Sequence, residues 1–312
     1  MKSMKDEILD FFVEQEESGI RIDRYLAENQ EDLTRSYIQK LITDGRVSVN
    51  EKSVKANYKV NPGDTIKLIL PPPADLELTP EDIPLAILYE DKDVIVVNKG
   101  KGMVVHPAAG HYTNTLVNAL LYHCKEDLSG INGVMRPGIV HRIDMNTTGV
   151  LVACKNDKAH QAIADQLKVH SITRKYNALV YHSFKEARGV VDAPIGRHPV
   201  DRKKMAVNHK NGKHAITHYQ VLENLGSRYA HIECTLETGR THQIRVHMAS
   251  IGHPLLGDEL YSNQKSNFSL EGQALHARVL GFIHPSTGEY MEFEAPLPAY
   301  YEELLMKLRR QQ

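Results

Sequence analysis

No apolar run in this 312-residue chain approaches the roughly 20 residues that a helix needs to cross a bilayer. The opening stretch, Met1 to Asp10, mixes charges and lacks the apolar core of a secretion signal, so a cytoplasmic protein without membrane contact is expected. Cysteine is scarce. Cys124, Cys154 and Cys234 lie far apart, form no CxxC pair and read as buried thiols in a reducing compartment. Net charge is only −1, so overall charge does not point to a polyanionic partner, and any such argument must rest on local clustering. The phosphate loop of nucleotide-triphosphate enzymes, the Rossmann glycine fingerprint, the nucleophile elbow of serine hydrolases and the HExxH zinc motif are all missing. The 17 histidines are scattered, and the turn at Asn211-Gly212 interrupts the near-helical spacing of His209, His214 and His218. Neither metal nor cofactor is expected.

At 41% hydrophobic residues, the chain can form one large domain plus a small one. In the small module, residues 15–73, Ile22, Tyr25 and Leu26 share one helical face, and Thr34 is placed to cap a second helix carrying Ile38, Leu41 and Ile42. Gly45 suits the left-handed residue that ends that helix. Val47 and Val49 alternate as a strand, and Pro62-Gly-Asp64 turns the chain into a last strand from Thr65 to Leu70. Residues 1–14 fit a strand or a helix equally well. Arg35, Lys40 and Arg46 lie off the apolar stripe, where they could meet phosphates, although nine Lys/Arg balance nine Asp/Glu across the module. The three prolines from Pro71 to Pro73 begin an extended linker, with residues 74–85 taken as the boundary and residues 86–312 as the large domain.

That domain is organised around Gly138-Ile-Val-His-Arg-Ile-Asp-Met-Asn-Thr-Thr-Gly149. Apolar Ile139-Val140 and Val150 to Ala153 flank a polar knuckle, the pattern of strand, turn and strand. A knuckle held between strands suits a reacting carboxylate at Asp144, and a turn-capping aspartate is the plainer alternative. Asp91-Lys-Asp93 predicts a hairpin, Thr115 a helix start, and Ala159 to Leu167 an amphipathic helix. Thr173 to Tyr181 predicts a strand that places Arg174, Tyr176, Ala178 and Val180 on one face. Residues 195–247 carry nine Lys/Arg against four Asp/Glu, and Arg202, Lys203 and Lys204 form a basic loop suited to tracking phosphates. After the turn at Gly239 a helix start is expected near Arg240 and Arg245, as an anion site or with one arginine paired to a buried carboxylate. A final helix runs from Tyr301 to Leu308.

Thr34 to Asn50 with Pro62-Gly-Asp64 resembles the S-four (αL) RNA-binding domain. The Gly138–Gly149 stretch resembles the signature of the RluA/RluD family of RNA pseudouridine synthases, and Glu90 to Pro107, Leu236 to His247, Gly252 to Tyr261 and Leu275 to Pro298 resemble further blocks of that family. Ile143 and Gly100 depart from the usual leucine and proline. The resemblance covers residues 15–300 or so and is strongest for the branch that acts on large-subunit (23S) ribosomal RNA. It implies an α+β fold: a mixed, mainly antiparallel sheet with a central cleft, plus the small α/β S-four domain. It implies conversion of uridine to pseudouridine without a cofactor, with ribosomal RNA or pre-ribosomal particles as the partner; a monomer is expected. Asp144 matches the family's catalytic aspartate, Tyr176 the tyrosine that packs on uracil, and Arg245 the arginine that pairs with the aspartate. Arg142 matches a residue that fills the space of the extruded base, while His141 and Arg240 join it as expected RNA contacts. A non-catalytic ribosome-assembly factor and a metal-dependent hydrolase are the competing functions.

Overall fold

The computed structural model divides the chain into two compact units, residues 1–76 and 77–312. It describes residues 7–30, 35–70, 78–107, 112–125, 127–131, 136–201, 204–264 and 268–311. Thr34, Arg202, Lys203 and the prolines at 71–73 lie outside them.

The first unit contains β1 (Glu7–Phe12), α1 (Ile22–Asn29), α2 (Arg35–Thr43), β2 (Val47–Val49), β3 (Lys52–Ser53) and β4 (Thr65–Leu70). The strands form an antiparallel sheet in the order β1-β4-β2-β3. The segment that fitted strand or helix is thus a strand, paired with β4 along its whole length, so the module starts before residue 15. Val13, Ile22, Leu26, Ile38, Leu41, Val47, Ile66 and Leu68 are buried together as its core. Each such side chain contributes about 1.5–3 kcal/mol by leaving water. Gly45 takes the expected left-handed conformation (φ +72°), and the N–H of Arg46 returns to the carbonyl of Leu41. Buried Asp23 gathers Arg21, Arg35 and Gln39 and ties α2 to the start of α1.

The second unit contains β5 (Ile87–Glu90), β6 (Val94–Lys99), α3 (Leu116–Cys124), β7 (Thr148–Cys154), α4 (Asp157–Lys168), β8 (Thr173–Tyr181) and β9 (Arg188–Asp192). A short hairpin of β10 (Ile195–Arg197) and β11 (Met205–Val207) follows, then β12 (Ile216–Leu225), β13 (Tyr229–Leu236), α5 (Gln243–Ser250), β14 (Leu275–Ile283), β15 (Tyr290–Glu294) and α6 (Ala299–Arg309). The main sheet has the order β5-β6-β7-β14-β8-β13-β12-β9, with β15 also on β14. Its pairs are antiparallel except β7 with β14, so the sheet is mixed and mainly antiparallel as expected.

Helices cover both faces of the sheet. Ile95, Val97, Leu151, Ala153, Tyr176, Ala178 and Val180 pack with Leu116 and Leu120 of α3 and Ile244 and Met248 of α5. On the other face, Val94, Val96, Val150 and Val152 meet Ala159 and Ile163 of α4, while Leu179 and Tyr181 meet Leu304 and Leu305 of α6. Two-sided cover explains why β6 and β7 are continuous apolar runs.

Three expectations change. Residues 78–85 are not a free spacer: Leu78 and Leu85 pack on the core of the second unit, and Asn118 of α3 donates to the carbonyl of Thr79. Ile139 makes a single bridge to Ala153, whereas Thr148 and Gly149 belong to β7 rather than to the turn. The helix after Gly239 begins only at Gln243.

His106, His231 and His276 are buried, and burial pushes each down to about 4. Unfolding restores ordinary histidine values near 6.5, so the unfolded chain binds more protons between these limits. The thermal midpoint is therefore expected to fall as pH drops from about 6.5 to 4, checked by calorimetry across that range.

Candidate active site

The loop from Gly138 to Thr147 enters β7 and carries Asp144. The N–H of Thr147 returns to the carbonyl of Asp144 at 3.0 Å, and the Thr147 hydroxyl accepts from Gln273 at 2.9 Å. From behind, Lys99 donates to the carbonyls of Gly100, Met103 and Met145 at 2.8–2.9 Å. Three acceptors match the three donors of an ammonium. Burial nevertheless pushes Lys99 down to about 7, against the pull of Asp144. Gly149 has φ +114°, and a Cβ there would lie 2.1 Å from the carbonyl oxygen of Ala277, so only glycine lets β7 approach β14 this closely. In the register, Gly149 sits opposite Ala277 and Ala277 opposite Tyr176, which brings the end of the loop and Tyr176 into one row.

Arg245 joins two carboxylates. Its Nη1 donates to Asp144 at 2.8 Å, while Nε and Nη2 hold both oxygens of Asp258 at 2.6 and 2.9 Å. The Asp258 side chain is fully buried, whereas Asp144 keeps 19% of its side chain open. Burial alone would lower the Arg245 pKa, but the two carboxylates outweigh it and raise the value. The bidentate grip fixes the guanidinium plane and leaves one edge for Asp144.

Asp144, Tyr176, Arg142, Arg240, His242 and Arg245 are among the residues around one pocket. An adjoining cleft shares Asp144, Tyr176 and His242 with it and adds Arg174 and His170. Tyr176 is 8% exposed, and burial raises its pKa, which keeps it a neutral phenol. His242 precedes α5 in a left-handed conformation (φ +56°, ψ +22°). Its Nε2 lies 3.8 Å from Asp144, and its Nδ1 lies 2.8 Å from the Tyr261 hydroxyl. The Tyr261 ring stands under Arg245, 5.0 Å from the guanidinium carbon.

The structure thus gathers Asp144, Tyr176, Arg245, Arg142 and Arg240. Arg142 is exposed at the rim, and Arg240 holds the carbonyl of His214 through Nε. His141 also lines the cleft, but its Nε2 accepts from the N–H of Val152 and burial holds the ring neutral, so it braces β7 rather than offering a cation. Lys204 closes the β10–β11 hairpin. In the first unit, Arg35 binds buried Asp23, Lys40 is exposed on α2, and Arg46 follows that helix. Asp258, His242, Tyr261 and Lys99 were not singled out from the sequence. Asp258 and Tyr261 fall inside a recognised block, and His242 beside Arg245 in another, but no local pattern names a partner so far away in the chain.

A family model described as RNA pseudouridylate synthase matches residues 93–250, and one for the S-four domain matches residues 20–66. The chain is 53% identical over 302 residues, 97% of its length and 98% of the relative's, to a protein of Bacillus subtilis (strain 168) called uncharacterized RNA pseudouridine synthase YlyB. It is 49% identical to the ribosomal large subunit pseudouridine synthase D of Zymomonas mobilis, covering 90% of this chain and 91% of that one. Among solved structures, human RNA pseudouridylate synthase domain containing 1 aligns with a TM-score of 0.57 at 25% identity, over 73% of this chain and 96% of that one. The protein is therefore an enzyme that modifies RNA. It belongs to the RluA/RluD family of RNA pseudouridine synthases, with an S-four domain in its N-terminal part.

Asp258→Ala would leave Arg245 buried with half its partners. A stability loss of roughly 3–5 kcal/mol is expected, with a smaller loss for Asp258→Asn, measured by urea unfolding.

Proposed function

We propose that this enzyme isomerises uridines of large-subunit (23S) ribosomal RNA, with Asp144 as the catalytic carboxylate. The observation that carries the assignment is the Asp144–Arg245 pair, set across a pocket from Tyr176. The substrate class is drawn from relatives of Zymomonas mobilis, Pasteurella multocida and Pseudomonas aeruginosa named as ribosomal large subunit pseudouridine synthase D, 42–49% identical to this chain.

A stacked uridine hides its glycosidic bond, so it must be flipped out at a cost of a few kcal/mol. Arg142 at the rim fills the vacated stack, and Arg240 and Lys204 hold flanking phosphates, with Arg202 and Lys203 as further cations drawn from the sequence alone. In the pocket, Tyr176 packs on the uracil face. Its raised pKa suits stacking; taking the proton from carbon 5 would require the phenolate. Arg245 presents Asp144 in one orientation, so the carboxylate meets the nucleotide without first being ordered. Its role is that of nucleophile or base: attack at the anomeric carbon, attack at the base, or proton removal from the sugar. The S-four domain, residues 15–73 with β1, adds RNA affinity through Arg35, Lys40 and Arg46. The enzyme acts as a cytoplasmic monomer; among the described residues no helix is long and apolar enough to cross a membrane.

Two outcomes are expected. Asp144→Ala abolishes pseudouridine formation while RNA binding persists; full turnover in that variant would remove Asp144 from catalysis. Deleting residues 1–73 flattens the salt dependence of RNA binding, in logarithmic form by about 0.7 for each single-strand phosphate that the domain no longer neutralises. Sequencing pseudouridines in ribosomal RNA from cells with and without the gene tests the substrate.

A further inference from the structure

We propose that His242 is a further catalytic residue, whose Nε2–H donates a hydrogen bond to the uracil as it leaves the sugar. The inference rests on the reading that the Asp144 pocket holds the target uridine.

The hydrogen bonds behind His242 favour the tautomer that carries its proton on Nε2. The Tyr261 hydroxyl accepts the backbone N–H of Met205, on β11, at 2.8 Å. An amide can only donate, so the proton of the hydroxyl points elsewhere. Among the described residues, its other hydrogen-bond partner is Nδ1 of His242, at 2.8 Å. Tyr261 therefore donates to Nδ1, and the neutral ring carries its proton on Nε2. Burial lowers the pKa of His242 and favours this neutral ring, against the pull of Asp144. Nε2 faces the pocket, 3.8 Å from Asp144, too far for a hydrogen bond.

Several other donors on the wall are engaged. Arg245 gives Nε, Nη1 and Nη2 to carboxylates, and the amide of Gln243 donates to Ile216 and Thr217. Arg240 gives Nε to the carbonyl of His214. His242 differs from them in holding a donor that is fixed from behind and turned toward the pocket, which the Tyr176 hydroxyl and the exposed Arg142 also border. Its left-handed backbone, uncommon outside glycine, is a local cost that directs the ring there instead of into the first turn of α5.

The reaction supplies an acceptor for that donor. When the bond from C1′ to N1 breaks, the electron pair stays with uracil, and the charge spreads over N1 and the carbonyl oxygens. Later C5 bonds to C1′, C5 loses its proton and N1 gains one, so product and substrate are isomers. A donor prepared for the detached uracil stabilises charge that exists only after bond cleavage, and this raises turnover more than binding.

The test uses the full-length protein and, as substrate, total RNA from cells lacking the gene, labelled with tritium at carbon 5 of uridine. His242→Leu is expected to lower kcat about 100-fold with KM within about twofold, while His242→Gln, which keeps a donor at a similar reach, recovers at least roughly tenfold. Tyr261→Phe keeps the ring under Arg245, frees Nδ1 to take the proton and is expected to lower kcat about tenfold. Nitrogen NMR of the wild type should show His242 protonated on Nε2. A His242→Leu enzyme within about threefold of wild-type kcat, equal losses in the Leu and Gln variants, or an Nδ1-protonated ring would each overturn the proposal. Should His242→Leu fail to fold, Tyr261→Phe and the NMR result decide. Failure of the pocket reading is separate: it appears as turnover in Asp144→Ala. Failure of the ribosomal reading appears as tritium release from other RNA.

Discussion

The guanidinium of Arg245, shared between Asp144 and Asp258, is the interaction on which the rest of the site depends. A buried arginine with one carboxylate would leave donors unsatisfied; with two carboxylates, Nε, Nη1 and Nη2 are all used. The division of labour is unequal. Asp258 is fully buried and takes two of these bonds, so it belongs to the scaffold. Asp144 takes one and stays partly open, so its remaining oxygen faces the pocket. Buried ion networks add little net stability, because desolvation offsets the attraction, but they fix geometry well when every donor is matched. On the proposed role of Asp144, that fixed geometry matters more than any gain in stability.

The sheet supplies the second constraint. β14 lies between β7 and β8, parallel to one and antiparallel to the other, and Ala277 is opposed by Gly149 and Tyr176 on its two sides. A side chain at position 149 would force the strands apart and move the Asp144 loop away from the tyrosine. Lys99 works on the same loop from the opposite direction, because its ammonium joins the turn after β6 to the carbonyl of Met145. The knuckle is therefore held by its neighbours on the sheet as well as by its own turn, which suits the proposed role of Asp144.

What the sequence disclosed follows from how local each signal is. Gly45 ending α2, a helix start at Thr115 and the limits of β8 rest on a few adjacent residues, and all agree with the structure. The faces of β8 followed from alternation, so Tyr176 was correctly placed with Ala178 and Val180. β1 was ambiguous because its strand character comes from pairing with β4, more than 50 residues later. Residues 78–85 looked like a spacer because their packing partners on the second unit leave no trace in composition. Asp258 was missed for the same reason: nothing near it in the chain announces Arg245. Arg35 shows the converse limit. Its position off the apolar stripe suggested a phosphate contact, while the structure has it neutralising a buried aspartate as well.

Charge distribution links the scaffold to the substrate. With a net charge of −1, the chain cannot gather RNA by its overall field. The pocket floor has no excess of positive charge, since Asp144 and Asp258 stand against Arg245 and Lys99. Attraction for a polyanion must therefore come from cations that no carboxylate neutralises, and the sequence concentrates them: residues 195–247 carry nine Lys/Arg against four Asp/Glu. That segment supplies Lys204 on the hairpin and Arg240 on the pocket wall. It also supplies Met205, whose backbone reaches His242 through Tyr261. One stretch of chain thus carries both an excess of cations and a hydrogen-bonded chain, Met205 to Tyr261 to His242, that joins the β10–β11 hairpin to the pocket.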